Sequence, residues 1–199
     1  MKKVISTFAV FALTLVFATS AFAYTVQPND TMWKIASKNQ VGVQELINAN
    51  PQIKNPNYII VGQNLTIPEV AEKSFEQQVI SLTNAERQKA GLKPLKENWE
   101  LSRVARFKSQ DMRDKNYFDH TSPTYGSPFT MIKNFGLSYK TAGENIAAGQ
   151  TTPQEVVDAW MKSPGHRANI LNDTYTEIGV GYAKGGSYNH YWTQQFMSH

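Results

Sequence analysis

The chain of 199 residues has no cysteine. That excludes a disulfide framework and any cysteine nucleophile, so the fold must be held by its core or by a metal. Strong charge of either sign is also missing. The formal net charge is +4 and no dense basic run occurs, which gives nucleic acid no electrostatic footprint. There is no G-x-S-x-G turn of the kind that exposes a serine nucleophile, and no H-E-x-x-H pair. Low-complexity tracts and internal repeats are absent. Only one stretch, at the start, is apolar enough to enter a bilayer. With 41% hydrophobic, 18% charged and 12% aromatic residues, the rest reads as folded rather than disordered.

The apolar stretch has the form of a secretory signal. Lys2 and Lys3 make a short basic region, Val4 to Ala18 is almost wholly apolar, and Ala21-Phe22-Ala23 is an A-x-A cleavage pattern. The expectation is a signal peptide over residues 1–23, with Tyr24 as the first mature residue and no stable membrane anchor after cleavage. Removing Lys2 and Lys3 from the 20 Lys+Arg leaves 18 against 16 Asp+Glu, so the mature chain is close to neutral.

Two blocks follow, joined by a short polar connector at residues 69–73. The first runs over 24–68. Tyr24-Thr25-Val26 is strand-like, and Asp30 or Thr31 is placed to cap a short helix whose apolar residues are Trp33, Ile35 and Ala36, followed by Val41. Trp33 is expected in the core. Val43 to Asn50 reads as a second helix ended by Asn50-Pro51. Tyr58–Val61 and Leu65–Ile67 are β-prone, with a turn at Gly62-Gln63. The order is strand, helix, helix, strand in about 45 residues, close to the lower size limit for a domain without disulfides.

This block resembles a LysM module from end to end, in Y-T-V, D-T-x-W-K-I-A, L-x-x-A-N-P and V-G-Q-x-L-x-I-P. The resemblance implies binding to N-acetylglucosamine-containing chains such as peptidoglycan or chitin. It puts the groove at Asn29, Asp30, Thr31 and Met32, facing Pro56, Asn57, Tyr58 and Ile59. The near-neutral block, with three Lys against one Asp and one Glu, suits an uncharged sugar polymer.

The second block runs over 74–199. Ser74 and Gln77 have the form of a capping box ahead of a helix ended by Gly91. Further helices are expected over 99–115, around 128–135, and from Thr152-Pro153-Gln154-Glu155 to Pro164. Ile178–Ala183 and Tyr191–Phe196 read as strands around a Gly185-Gly186 turn. The fold class is α+β, with helices flanking a small antiparallel sheet.

His120, Glu144 and His166 each stand in a segment rich in Gly, Pro or Ser, read as loops. Two imidazoles and a carboxylate are a donor set for one divalent metal such as zinc, with a position open for water. From composition alone, histidines that pin loops by hydrogen bonding are the favoured reading. The block also resembles a CAP domain of the bacterial SCP-like group, in LTNAERQKAGLKPL, F-D-H-T-S-P, A-G-E-N-I-A, V-V-D-A-W-M-K-S-P-G-H-R-A-N-I-L and E-I-G-V-G-Y-A. That resemblance implies an α-β-α sandwich with two histidines and two acids in a central cleft, which in several members binds a divalent cation. His120, Glu144 and His166 match three of the four positions. No acid stands just before His166, and Asp158 and Glu177 are the two substitutes to weigh.

The expected protein is exported and associated with the cell wall or a spore surface. It binds peptidoglycan through residues 24–68 and presents the second block's cleft in a binding or regulatory role, with a wall or spore protein as a further partner. The alternative is a metal-dependent hydrolase of peptide or wall bonds, with His120, Glu144 and His166 catalytic.

Overall fold

The computed structural model describes residues 22–70 and 72–199. The signal-peptide reading therefore lies outside the described residues, except for Phe22 and Ala23. Among the described residues no helix is long and apolar enough to cross a membrane.

The first unit contains β1 (Phe22–Thr25), α1 (Met32–Lys38), α2 (Val43–Asn48) and β2 (Asn64–Ile67), with β1 and β2 antiparallel. Thr31 caps α1 by accepting from the Lys34 N–H. Met32, Ile35 and Ala36 share the buried face of α1, and Val26, Val41, Leu46, Leu65 and Ile67 complete the core. Trp33, expected inside, is 66% exposed. It follows Met32 by one residue and so points about 100° away from that stripe. Tyr58–Val61 is not a strand, and Tyr58, Ile60 and Val61 are exposed. The four residues of β1 pair only with 64–67, and the chain before them is turned by Gly62 at φ +87°, whose N–H donates to the Val26 carbonyl. Asn50 is fully buried. Its amide donates to the Leu46 and Thr66 carbonyls and accepts from the Thr66 N–H, which ties the end of α2 to β2.

The second unit is a three-layer sandwich. Its elements are α3 (Lys73–Lys89), β3 (Lys96–Glu97), α4 (Trp99–Asp114), α5 (Pro128–Asn134), β4 (Thr141–Ala148), α6 (Pro153–Lys162), α7 (Pro164–Ile170), β5 (Glu177–Lys184) and β6 (His190–Ser198). The sheet order is β3-β5-β6-β4. The two-residue β3 is parallel to β5 and the other pairings are antiparallel. Ile178, Val180, Tyr182, Trp192 and Phe196 face α3, α6 and α7, whereas Met197 packs with residues of α4 and α5 on the opposite face.

Several boundaries differ from the sequence reading. α3 begins at Lys73 with Glu72 at its cap, so the connector is shorter and Ser74 caps nothing. Pro164 does not only stop α6, because it occupies the first turn of α7 and Ser163 serves both helices. β4 covers the Gly143-Glu144-Asn145 segment that reads as a loop. These are weak strand formers, held extended by pairing along β6.

The I-G-V-G-Y alternation has a steric origin. A Cβ at Gly179 would lie 2.3 Å from the Leu101 carbonyl carbon, and one at Gly181 would lie 2.0 Å from the Arg106 backbone nitrogen. The backbone of α4 thus lies directly on β5, at a distance no side chain fits. The outer edge of β5 beyond β3 is closed by side chains. The Val180 N–H donates to Ser102 Oγ, and the Tyr182 N–H donates to Glu76 Oε1. Glu76 is buried and takes a two-pronged contact from Arg106.

Gly181→Ala should therefore destabilise the protein by about 1–3 kcal/mol in denaturant unfolding, because α4 must lift off the strand. Gly165→Ala in α7, where an added Cβ meets nothing within 4 Å, should be neutral or slightly stabilising. Equal, negligible effects at both positions would contradict the close-packing account.

Candidate functional site

Two sites emerge. In the first unit, Asp30, Thr31, Met32, Pro56, Asn57, Tyr58 and Ile59 line one groove of about 310 Å³, together with Trp33, Val43 and Ile47. Asn29 is not in the lining. It stands in a left-handed turn at φ 68°, and its carbonyl accepts from Lys34 Nζ. Asp30 has a structural duty, because its Oδ2 accepts from the Gln27 N–H and from the Tyr24 hydroxyl, which hold its carboxyl below the usual range. Met32 is buried and forms floor rather than wall. The exposed aromatic faces belong to Tyr58, at 73%, and to Trp33, which sequence reading assigns to the core.

The second site lies at β4, an edge strand of the larger sheet. Glu144 is buried there. Its Oε1 is 2.8 Å from His120 Nδ1, and its Oε2 accepts from Gln195 Nε2 at 2.9 Å. Gln195 is the residue opposite Glu144 in the β4–β6 register. His120 stands on a loop that is firmly held. The fully buried Lys108 of α4 donates from Nζ to the carbonyls of Asp119 (2.6 Å) and His120 (2.9 Å), and to the Tyr117 hydroxyl. One turn on, Asp111 accepts from Tyr117, Ser122 and Thr124. Burial pushes the Asp111 carboxyl up, but these hydroxyls and Lys108 outweigh it and hold it below the usual range.

His166 is on α7, not in a loop. The helix is fastened to β4 through amides. Asn145 Nδ2 donates to the His166 carbonyl, and Asn169 Nδ2 donates to Asn145 Oδ1 and the Glu144 carbonyl. Asn145 continues to Gln194, which reaches Thr83 of α3. Sequence reading misses this framework. A signal for Lys108 is present, because it falls on the helical stripe of Leu101, Val104, Ala105 and Met112, where a charge needs partners. Gln194 and Gln195 interrupt a buried strand in the same way.

The proton affinities of the two imidazoles are shifted in opposite directions. The hydrogen bond to Glu144 raises the His120 pKa. Burial lowers that of His166, and the nearby charge of His120 lowers it further. Opposed shifts of this kind suit one group for donating and the other for accepting a proton.

A metal is less well served. Among the described residues no three His, Cys, Asp or Glu side chains form a group that could hold one. Both oxygens of Glu144 are engaged, so it stands behind His120 rather than beside it as a ligand. The buried Gln195 Oε1 has no partner, but an amide oxygen is a neutral donor. Neither candidate for the fourth acid joins the cluster. Asp158 is engaged by Gln154 on the exposed side of α6, and Glu177 by Asn98 on β5. The position against Glu144 is filled by the amide of Gln195.

Because the folded pKa of His120 is raised, its pairing with Glu144 contributes stability that is complete below the unfolded imidazole value of about 6.5 and fades as pH rises through the folded value. Glu144→Gln should therefore cost more stability at pH ~5 than at pH ~8. In ring-proton NMR titrations His120 should titrate above His166, and the substitution should bring His120 down. An unchanged His120 titration in Glu144→Gln would show that the contact is not formed.

Comparison with known proteins places both units. Residues 24–68 match the LysM domain, and residues 80–196 match the CAP group, described as the cysteine-rich secretory protein family. The uncharacterized protein YkwD of Bacillus subtilis (strain 168) is 56% identical over 169 residues, covering 78% of this chain and 65% of that protein. The chain thus spans less than two thirds of this relative's length. An extracellular SCP-domain protein from Bacillus anthracis superposes with a TM-score of 0.58 at 32% identity, over 69% of this chain and 47% of that one. An outer surface protein from Borrelia burgdorferi has the same fold, with a TM-score of 0.60 at 22% identity over 65% of this chain and 96% of its own. The chain belongs to the cysteine-rich secretory protein (CAP) family and carries a LysM domain ahead of its CAP domain.

Proposed function

We propose that the protein is exported and attaches to peptidoglycan, or a related N-acetylglucosamine polymer, through the LysM groove, and that its CAP cleft serves binding or regulation at the wall. The observation that carries the first half is the exposure of Trp33 and Tyr58 along a groove with few charges. Exposed apolar faces gathered along one groove, rather than scattered singly, are the kind of patch that marks a ligand surface. Sugar rings present apolar faces to such walls and hydroxyls to the turn backbone of residues 29–31 and 55–57. Attachment raises the local concentration of the CAP domain at the polymer.

The second half rests on the cleft's construction. His120 and His166 are held at a sheet edge by a buried lysine and a network of amides, with opposed proton affinities. The residues in reach supply an acid and a base, but no side chain is set up as a nucleophile. Recognition of a polar partner is what this cluster is best equipped for. Hydrolysis of a peptide or wall bond is the competing reading and makes a different prediction.

The test is co-sedimentation of the protein with purified peptidoglycan, with and without zinc, followed by chromatography of the supernatant. Binding should be retained in His166→Ala and weakened about tenfold in Trp33→Ala and in Tyr58→Ala, with no fragments released. Fragments that require His166 would replace the binding role by hydrolysis. Binding indifferent to both aromatic substitutions would remove the groove from the account.

A further inference from the structure

Trp33 is not in the lining of the LysM groove alone. A second cavity, of about 200 Å³, also has Trp33 in its lining and lies in the seam between the two units. Trp33 and Val43 line both spaces. The first unit adds Ser37 and Gln44, and the CAP domain contributes Trp99, Glu100, Arg103 and Phe135. Trp99 is half-buried and Glu100 exposed, each at the first turn of α4.

The seam is held by specific contacts. Arg103 Nε is 2.6 Å from Glu45 Oε1, and its Nη2 is 3.0 Å from Oε2, so the guanidinium of α4 grips a carboxylate of α2 with both prongs. The same guanidinium lies against the rings of Phe107 and Phe135, at 5.2 and 5.3 Å from their centres. Gly42 allows the approach, because a Cβ there would fall 2.3 Å from Arg103 Nε. Lys73 Nζ reaches Gln40 Oε1 across the same seam.

We propose that the CAP domain is part of the glycan site. The polymer in the LysM groove continues over Trp33 into the seam, where Trp99 offers a second ring face and Glu100 and Gln44 offer hydrogen bonds to sugar hydroxyls. This rests on the glycan reading of the LysM groove and extends it to a composite subsite. The two spaces share Trp33 and Val43 as walls, and their chemistry agrees. A half-buried indole beside an exposed carboxylate and an amide makes a mixed apolar and polar surface, which fits a neutral sugar chain better than an apolar peptide or a polyanion. The composite site makes attachment depend on chain length, since only a chain longer than the LysM groove reaches Trp99.

Isothermal titration of the full protein with two soluble N-acetylglucosamine oligomers tests this. One oligomer is short enough for the LysM groove alone, and the other is twice that length. The longer should bind about tenfold more tightly. Trp99→Ala should abolish that gain while leaving the short oligomer's affinity unchanged, whereas Trp33→Ala should weaken both. Ser37→Arg, which plugs the seam from the LysM side without touching the CAP core, should act like Trp99→Ala and guards against a folding defect in the latter. If the longer oligomer binds no more tightly, or its advantage survives both seam substitutions, the composite site is wrong while the LysM groove stands. If neither oligomer binds, both readings fall.

Discussion

The larger domain is organised by one contact at less than side-chain distance, the backbone of α4 laid on β5 at Gly179 and Gly181. With no Cβ between them, the helix sits deep enough for its Ser102 to accept from the Val180 N–H, and its Arg106 grips Glu76 of α3, which accepts from the Tyr182 N–H. The same depth brings Lys108 and Asp111 under the loop that carries His120. The pair of His120 and Glu144 is therefore set from below. Its histidine is placed by a lysine the sequence hides inside an amphipathic helix, and its carboxylate by an edge strand whose residues prefer other conformations.

The charges in this arrangement depend on one another. Lys108 is stripped of water, which lowers its pKa, and Glu144, Asp111 and Asp119 work against that shift. Glu144 is buried yet serves His120 and Gln195 at once. A buried ion is tolerated only when its remaining lone pairs or protons are satisfied. Removing any member exposes another to an unpaired charge, so the cluster acts as a unit.

Most elements are legible in the sequence because their signals are local. Thr152-Pro153 starts α6, Gly91 follows the end of α3, and the alternating residues of β5 and β6 read as strands. His120, Glu144 and His166 are identified by resemblance, and the structure brings His120 against Glu144 with His166 within reach of its charge. The failures share one cause. β4 and the loop-like appearance of His166 depend on partners far away in the chain, and the supporting roles of Lys108, Asn145 and Gln195 exist only once the sheet is assembled. Trp33 departs from expectation for a different reason. A large aromatic in a short helix reads as core until the direction it points is considered.

The side-chain closure of β5 has a consequence beyond the domain's own stability. A bare strand edge is a template on which a second copy of the same chain can pair, and an array held on a polymer brings copies together. Here the donors at Val180 and Tyr182 are already taken by Ser102 and Glu76, and the two residues of β3 cover the start of the strand. The molecule has made itself a poor partner for its own kind at that edge, so crowding need not lead to strand-to-strand aggregation there.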